Sequence, residues 1–318
     1  MRVLITGFSG QIGSFLLPTL LKSGFEIATF GRSKPDSLTR TKTSHHFQTE
    51  QYDFLDIKTA IELFRPNSIV NLASLSSVAA CEKNPKLSKK INSCFPLEIL
   101  DFLESMSSLD CHFIQASSSE MFAGFREIII NEETTINPVS IYGKHKSEVH
   151  LKIQSIQESR KLRASSVILF NNESFRRPDS FATKKIVKGL VAVKLKQIDE
   201  LRIGNSFVSR DWNHPCDTSE ALRLIIEGAT STNYVVGSGE VHSIKDFISM
   251  SATLLGLSED SFNLISDPAF QRQNENHGLY ADSSKIRSEL GWKPSLSFAE
   301  IVQEIVQSEL ENATEEER

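Results

Sequence analysis

The chain has 318 residues, of which 39% are hydrophobic and 24% charged, and its formal net charge is -5. That length and balance describe a globular protein of one large domain or two ordinary ones, with a sizeable core. The negative charge, with Lys and Arg scattered rather than blocked, argues against nucleic acid or an anionic membrane surface as partner.

No apolar run approaches the ~20 residues needed to span a bilayer. The chain starts directly on the apolar run Val3-Leu4-Ile5, without a signal-peptide layout, so a cytoplasmic location is expected. Cys81, Cys94, Cys111 and Cys216 form no Cys-x-x-Cys pair, so they read as reduced, small apolar residues and no metal is expected.

In chain order, Val3 to Thr6 reads as a buried strand ended by Gly7. Ile12 to Lys22 has apolar residues at a helical period, closed by Gly24, with Pro18 as a possible bend. Glu26 to Phe30 is the second strand, and a third strand-like segment ends near Asp53. Ser68 to Leu72, Cys111 to Ala116 and Ser165 to Phe170 continue the series, with helical patterns over Ile91 to Met106 and Lys144 to Arg160. Strands alternating with helices predict an α/β fold: a doubly wound parallel sheet, Rossmann-like, with right-handed crossovers.

Past Phe170 the pattern loosens. Asn171 to Ser180 and Asn205 to Pro215 read as loops, Asn233 to Gly237 as a late strand returning to the sheet, and Ile244 to Leu255 and Phe298 to Leu310 as helices. The charged end, Glu311 to Arg318, reads as frayed. The division expected is a dinucleotide-binding domain over 1–170, to which the chain returns around 217–237. A smaller mixed α/β substrate domain then takes 171–318, mostly 171–216 and 238–318.

Thr6-Gly7-Phe8-Ser9-Gly10-Gln11-Ile12-Gly13 joins the first strand to the first helix. Gly7 permits the turn, Gly10 lets backbone approach a pyrophosphate, and Gly13 lets the helix pack on the sheet. The phosphates then sit on a helix N-terminus, with Ser9, Gln11 and Ile12 around them. At the end of the second strand an acidic residue would suit NAD. Arg32 stands there instead and suits the 2′-phosphate of NADP. Asp53, followed by Phe54, is placed to accept from the adenine amino group, and Leu72-Ala73-Ser74 should pass under the cofactor.

Tyr142 and Lys146 are four apart, on one face of a helix. The ammonium and the cofactor's cationic ring would lower the phenol's pKa and make it a base, and Lys146 can also hold the nicotinamide ribose. Ser118 lies past the carboxyl end of a strand, where ligands bind in such sheets, and can hydrogen-bond the same substrate oxygen. Glu120 discriminates. Oxidation at one carbinol carbon needs no carboxylate here, whereas elimination of water needs a group to take a proton from carbon and protonate the departing hydroxyl.

With these residues the chain resembles an extended short-chain dehydrogenase/reductase, and within that superfamily the GDP-mannose 4,6-dehydratases. The resemblance rests on the glycine motif, Gln115-Ala116-Ser117-Ser118-Ser119-Glu120-Met121-Phe122 and Tyr142-Gly143-x-x-Lys146. Leu169-Phe170-Asn171-Asn172-Glu173-Ser174-Phe175-Arg176-Arg177, Arg210-Asp211-Trp212 and Leu290-Gly291-Trp292-Lys293-Pro294 carry it further.

It implies Ser118 as the catalytic hydroxyl, Glu120 as acid/base, Tyr142 and Lys146 as the redox pair, and Asn172 and Arg177 as cofactor contacts. It implies Ser76, Ser119, Asn171, Glu173, Arg210, Arg272 and Glu275 around a nucleotide-sugar, with GDP-mannose or a close relative as substrate. Asn172 stands where the family has His, Phe175 where it has Pro, and lone Arg32 where a double Arg accompanies tetramers. A homodimer is expected, with a tetramer open. Two other readings stay open: a nucleotide-sugar epimerase or 4-keto-sugar reductase, and a non-catalytic NADP-binding scaffold protein.

Overall fold

The computed structural model describes residues 1–33, 45–106, 109–126, 128–228, 230–270 and 278–316. Seven strands among them form one sheet: β1 (Arg2–Thr6), β2 (Glu26–Gly31), β3 (His45–Gln48), β4 (Ser68–Asn71), β5 (His112–Ser118), β7 (Arg163–Leu169) and β11 (Tyr234–Val236). The spatial order is β11-β7-β5-β4-β1-β2-β3 and every pairing is parallel. The doubly wound sheet is therefore observed, and the late strand around Tyr234 does return to pair with β7.

Strand periodicity of two explains how the sheet is covered on both faces. Val3, Ile5, Val70, Ile114 and Val167 turn to one side, against Leu16 and Leu20 of the Gln11–Lys22 helix and Leu222 and Ile225 of the Pro215–Gly228 helix. Leu4, Ile69, Phe113 and Ala164 turn to the other. There they meet the helices Phe54–Phe64, Phe95–Ser105 and Ile141–Ser159 through Ile61, Ile99 and Ile153. The first helix runs straight through Pro18 to Lys22.

Three small sheets stand apart from the large one. β12 (Val241–Ser243), β10 (Ser209–Asn213) and β8 (Asn171–Asn172) form one, β13 (Asn263–Ser266) pairs β9 (Glu200–Ile203), and β14 (Leu279–Ala281) pairs β6 (Ile128–Ile130). A further apolar cluster joins Ile186 and Leu190 of the Ala182–Lys194 helix, Trp212, Phe247 of the Ile244–Leu254 helix, and Ile301, Val302 and Ile305 of the Phe298–Glu316 helix.

Four sequence expectations need correction. The stretch Asn205 to Pro215 holds strand β10, whose Asp211 accepts from Ser238 N, Ser238 Oγ, Gly239 N and Ala281 N, so a polar sequence is satisfied internally. The final helix runs on to Glu316 instead of fraying after Leu310, because Glu309 is buried against Lys184 and Ala313 packs on the core. The helix expected from Ile91 opens with a π-helical turn, Lys90–Cys94, that continues the short Pro85–Lys89 helix. Asp53 does not end a strand. β3 stops at Gln48, and Asp53 stands before the Phe54–Phe64 helix, ion-paired to Lys90 at 2.7 Å.

Candidate active site

Strand order reverses between β1 and β4, and the crevice lies above the carboxyl ends of the strands there. Gly7, Gly10, Gln11, Ile12 and Gly13 line its floor with Leu72 and Ser74 from the end of β4. Gly7 has φ +67°, and a Cβ there would meet Ala73 N at 2.6 Å, so the turn excludes every other residue type. The same cavity is lined by Ser76, Ser118, Glu120, Tyr142, Lys146, Asn171, Asn172, Arg177 and Arg210. Segments far apart in sequence thus meet at one sheet edge.

Other expected residues lie elsewhere. Ala73 is buried under Gly7, and Ser119 is buried in the 3₁₀ turn Ser119–Phe122 without reaching the cavity wall. Phe54 turns its ring edge-on to Phe102 at 5.8 Å instead of facing the cavity. Arg32 and Ser9 sit outside it at the end of β2. Arg32 lies 5.9 Å over the Tyr52 ring, and the Ser9 hydroxyl donates to Ser33 Oγ at 3.4 Å. Glu173 lies outside the wall, ion-paired to Arg177 at 3.3 Å and accepting from Thr183 Oγ1 at 2.6 Å. Arg272 and Glu275 lie outside the described residues.

The end that holds Ser118, Tyr142 and Lys146 is built by β5 and the Ile141–Ser159 helix. Ser140 caps that helix by accepting from Gly143 N at 3.0 Å and donates to Glu120 Oε2 at 3.4 Å, which fixes the carboxylate near the helix N-terminus. A Cβ on Gly143 would lie 2.4 Å from the Glu120 carbonyl oxygen, so this glycine lets the two elements touch. Ser118 Oγ accepts from Glu120 N at 3.2 Å, leaving its proton for another acceptor.

Lys146 is fully buried, donates from Nζ to Ala116 O at 2.7 Å, and lies 5.7 Å over the Tyr142 ring. Burial lowers its ammonium to about 8. Burial likewise pushes the Tyr142 phenol up to about 12, against the opposing effect of hydrogen bonds shared with Ser74 and Ser118. The expected lowering of the Tyr142 pKa is therefore not produced by the protein's own groups, because desolvation outweighs them.

The fit to a dinucleotide rests on two observations. The glycine loop opens a groove of backbone at the start of the Gln11–Lys22 helix, and the buried Oε1 of Gln11 has no hydrogen-bond partner while its Nε2 donates to Asn172 O at 2.7 Å. Asn172 contributes less than expected. Its amide donates to Phe170 O and accepts from Thr218 Oγ1 at 2.6 Å, so its polar atoms are already engaged.

Sequence reading missed Val78, Ala116, Ser117, Leu169, Phe170 and Phe181 among the lining residues. Leu169 and Phe170 end a strand of the sheet, and that rule alone would have found them. Phe181 had no signal, although its ring carries the Arg177 guanidinium at 3.7 Å. Asn92 was missed too. It lies in the π-helical turn and accepts from Ser74 Oγ at 2.8 Å.

Fold and crevice together are those of a doubly wound, Rossmann-like sheet whose cavity lies where the strand order reverses. Among solved structures, dTDP-glucose 4,6-dehydratase from Bacillus anthracis in complex with NAD superposes with a TM-score of 0.83 at 19% identity, covering 99% of this chain and 98% of that one. RMD from Pseudomonas aeruginosa, complexed with NADPH, superposes with a TM-score of 0.80 at 19% identity over 98% of this chain and 99% of that one.

The family model for GDP-mannose 4,6 dehydratase matches residues 4–305, and the chain belongs to that family. GDP-mannose 4,6 dehydratase 2 of Arabidopsis thaliana is 32% identical over 98% of this chain and 88% of its own length. The human GDP-mannose 4,6 dehydratase is 28% identical over 97% of this chain and 91% of its own.

Proposed function

We propose that the protein is an NADP-dependent nucleotide-sugar 4,6-dehydratase acting on GDP-mannose. One observation carries this reading: Ser118, Glu120, Tyr142 and Lys146 converge on the cavity whose floor is the glycine loop. The region 1–170 with 217–237 holds the dinucleotide, and 171–216 with 238–318 holds the nucleotide-sugar. Gly7 to Gly13, Gln11 and Arg177 hold the dinucleotide phosphates, while Arg32, with Ser9 and Ser33 beside it, takes the 2′-phosphate.

NADP, when bound, would supply the hydride acceptor for C4 and the hydride that returns to C6. Tyr142 removes the proton of the C4 hydroxyl. Lys146 Nζ stands 5.7 Å over the Tyr142 ring, and with NADP bound the cationic nicotinamide would add the charge that favours the tyrosinate. Ser118, whose oxygen already accepts from Glu120 N, donates its free proton to the O4 oxyanion. The C4 ketone acidifies the C5 proton. Glu120 removes that proton and delivers it to the C6 oxygen, which leaves as water; C5 then takes a proton from solvent, matching the one that Tyr142 removed from O4. The product is the 4-keto-6-deoxy sugar.

Arg210, on the cavity wall, pairs with the substrate diphosphate, and Ser76 and Asn171 face the sugar. Leu87 and Leu151 are exposed apolar side chains, 40% and 50% accessible, on two helices in mutual contact; a second copy of the chain covers them in the homodimer we propose.

The test is product formation. GDP-mannose should give a 4-keto-6-deoxy sugar, read by alkaline absorbance and mass loss of one water, with CDP-, UDP- and dTDP-hexoses giving far less. Turnover of a UDP- or dTDP-sugar in preference would reject the substrate, and a C4 epimer without water loss would reject the reaction.

A further inference from the structure

Arg177 reaches the cavity from a short strap, Glu173 to Arg177, that belongs to no helix or long strand. The strap is held from outside. Phe175 N donates to Glu304 Oε2 at 3.2 Å, and Phe175 O accepts from Lys184 Nζ at 2.8 Å. Glu304 lies on the Phe298–Glu316 helix, and the same helix holds Lys184 through a buried ion pair with Glu309. Both polar groups of the Phe175 residue thus depend, directly or at one remove, on the C-terminal helix.

Glu304 has a second partner. His214 Nδ1 accepts from Cys216 N at 3.1 Å, which leaves the proton on Nε2 to donate to Glu304 Oε2 at 3.1 Å. The His214 ring stands edge-on to Phe15 at 5.1 Å, and Phe15 stands edge-on to Phe175 at 6.1 Å. Phe15 lies on the Gln11–Lys22 helix that begins at the glycine loop. One carboxylate therefore pins the strap and, through His214, abuts the dinucleotide helix. Its acidity fits the role. Burial disfavours the charged form, yet hydrogen bonds from His214 and Phe175 hold Glu304 below the usual carboxylate range.

We infer that Glu304 is a positioning residue for Arg177, and that through the strap it sets how tightly the dinucleotide is held. The inference rests on the reading that Arg177 faces the dinucleotide phosphates. Removing the carboxylate strands two donors, Phe175 N–H and His214 Nε2–H, and frees the strap two residues before Arg177.

Two measurements test it. NADPH affinity is read by nicotinamide fluorescence in wild type, Glu304→Ala, Glu304→Gln, Arg177→Ala and the Glu304→Ala/Arg177→Ala double variant. Glu304→Ala should weaken binding about fivefold to tenfold, a loss absent in the Arg177→Ala background. Glu304→Gln keeps an acceptor oxygen and should stay within about twofold of wild type. An equal loss with and without Arg177, no loss at all, or a Gln variant as weak as the Ala variant overturns the inference. Amide exchange of the ligand-free protein is the second readout. Phe175 and Arg177 amides should exchange faster in Glu304→Ala while the parallel sheet does not change; unchanged exchange at the strap overturns the inference whatever NADPH does. Failure of the wild type to bind NADPH, with the exchange effect intact, instead sinks the dinucleotide reading alone.

Discussion

The two ends of the crevice are built by different means. At the catalytic end, Ser118 terminates a fully buried central strand, and Tyr142 and Lys146 ride the first turns of a long capped helix packed on the sheet. At the other end, beyond the glycine loop, Arg177 hangs on a strap fixed by the side chains of Lys184 and Glu304, the latter bonded in turn to His214. In the proposed mechanism the groups that move protons sit on rigid elements, where misplacement by a fraction of an ångström is costly. Groups that only hold charge tolerate a looser mount, whose stiffness other parts of the chain can set.

The comparison breaks first at Tyr142. Tyr142→Phe keeps the ring in its buried site and removes the only atom the chemistry needs, so turnover should fall about 10³-fold with the melting temperature little changed. Steady-state kinetics beside a thermal melt checks this, and a large loss of stability would show that the hydroxyl serves the fold. Glu120→Gln should cut water elimination about 10²-fold to 10³-fold while the affinity for the nucleotide-sugar, read by calorimetry, stays at the wild-type level. Full retention of elimination would move the acid/base role to another group.

The smallest expected effect concerns acid. His112, on β5, and His150, on the helix of Tyr142, are buried and share hydrogen bonds with Ser165 and Ser166 respectively. Burial lowers both to about 4 from an ordinary value of 6.5. Below pH 6.5 the unfolded chain takes up protons that the folded one refuses until about pH 4, so stability is intact above this window and falls as pH drops through it. The loss amounts to at most about 3 kcal/mol for each histidine. Denaturant midpoints measured from pH 7.5 to 4.5 should decline in wild type and decline less in His150→Gln, while equal slopes would remove His150 from the account.

Legibility followed the same line. The central strands were readable because a parallel sheet covered on both faces leaves near-continuous apolar runs such as Val3-Leu4-Ile5 and Ser68-Ile69-Val70. Tyr142 and Lys146 were readable because helical spacing fixes which side chains share a face. Strand β10 was not, since its Asp211 is satisfied by partners 27 to 70 positions away, and local pattern carries no trace of them. The strap failed for the same reason: nothing near Phe175 in the sequence announces Glu304. The expectations at Phe54 and Glu173 fell on residues outside the cavity wall, where Phe54 meets Phe102 and Glu173 pairs with Arg177.

The central claim is that Glu120 works at C5 and C6 after Tyr142 has worked at C4, and turnover of GDP-mannose in deuterium oxide tests it most directly. The proton taken from C5 leaves in the expelled water, so C5 of the 4-keto-6-deoxy product must be refilled from solvent while C6 receives the hydrogen that began on C4. Proton NMR and mass spectrometry should show one solvent deuterium, at C5, and a C4-deuterated substrate in ordinary water should deliver its label to C6. A product that keeps its C5 hydrogen and its C6 hydroxyl, with change only at C4, would contradict the account.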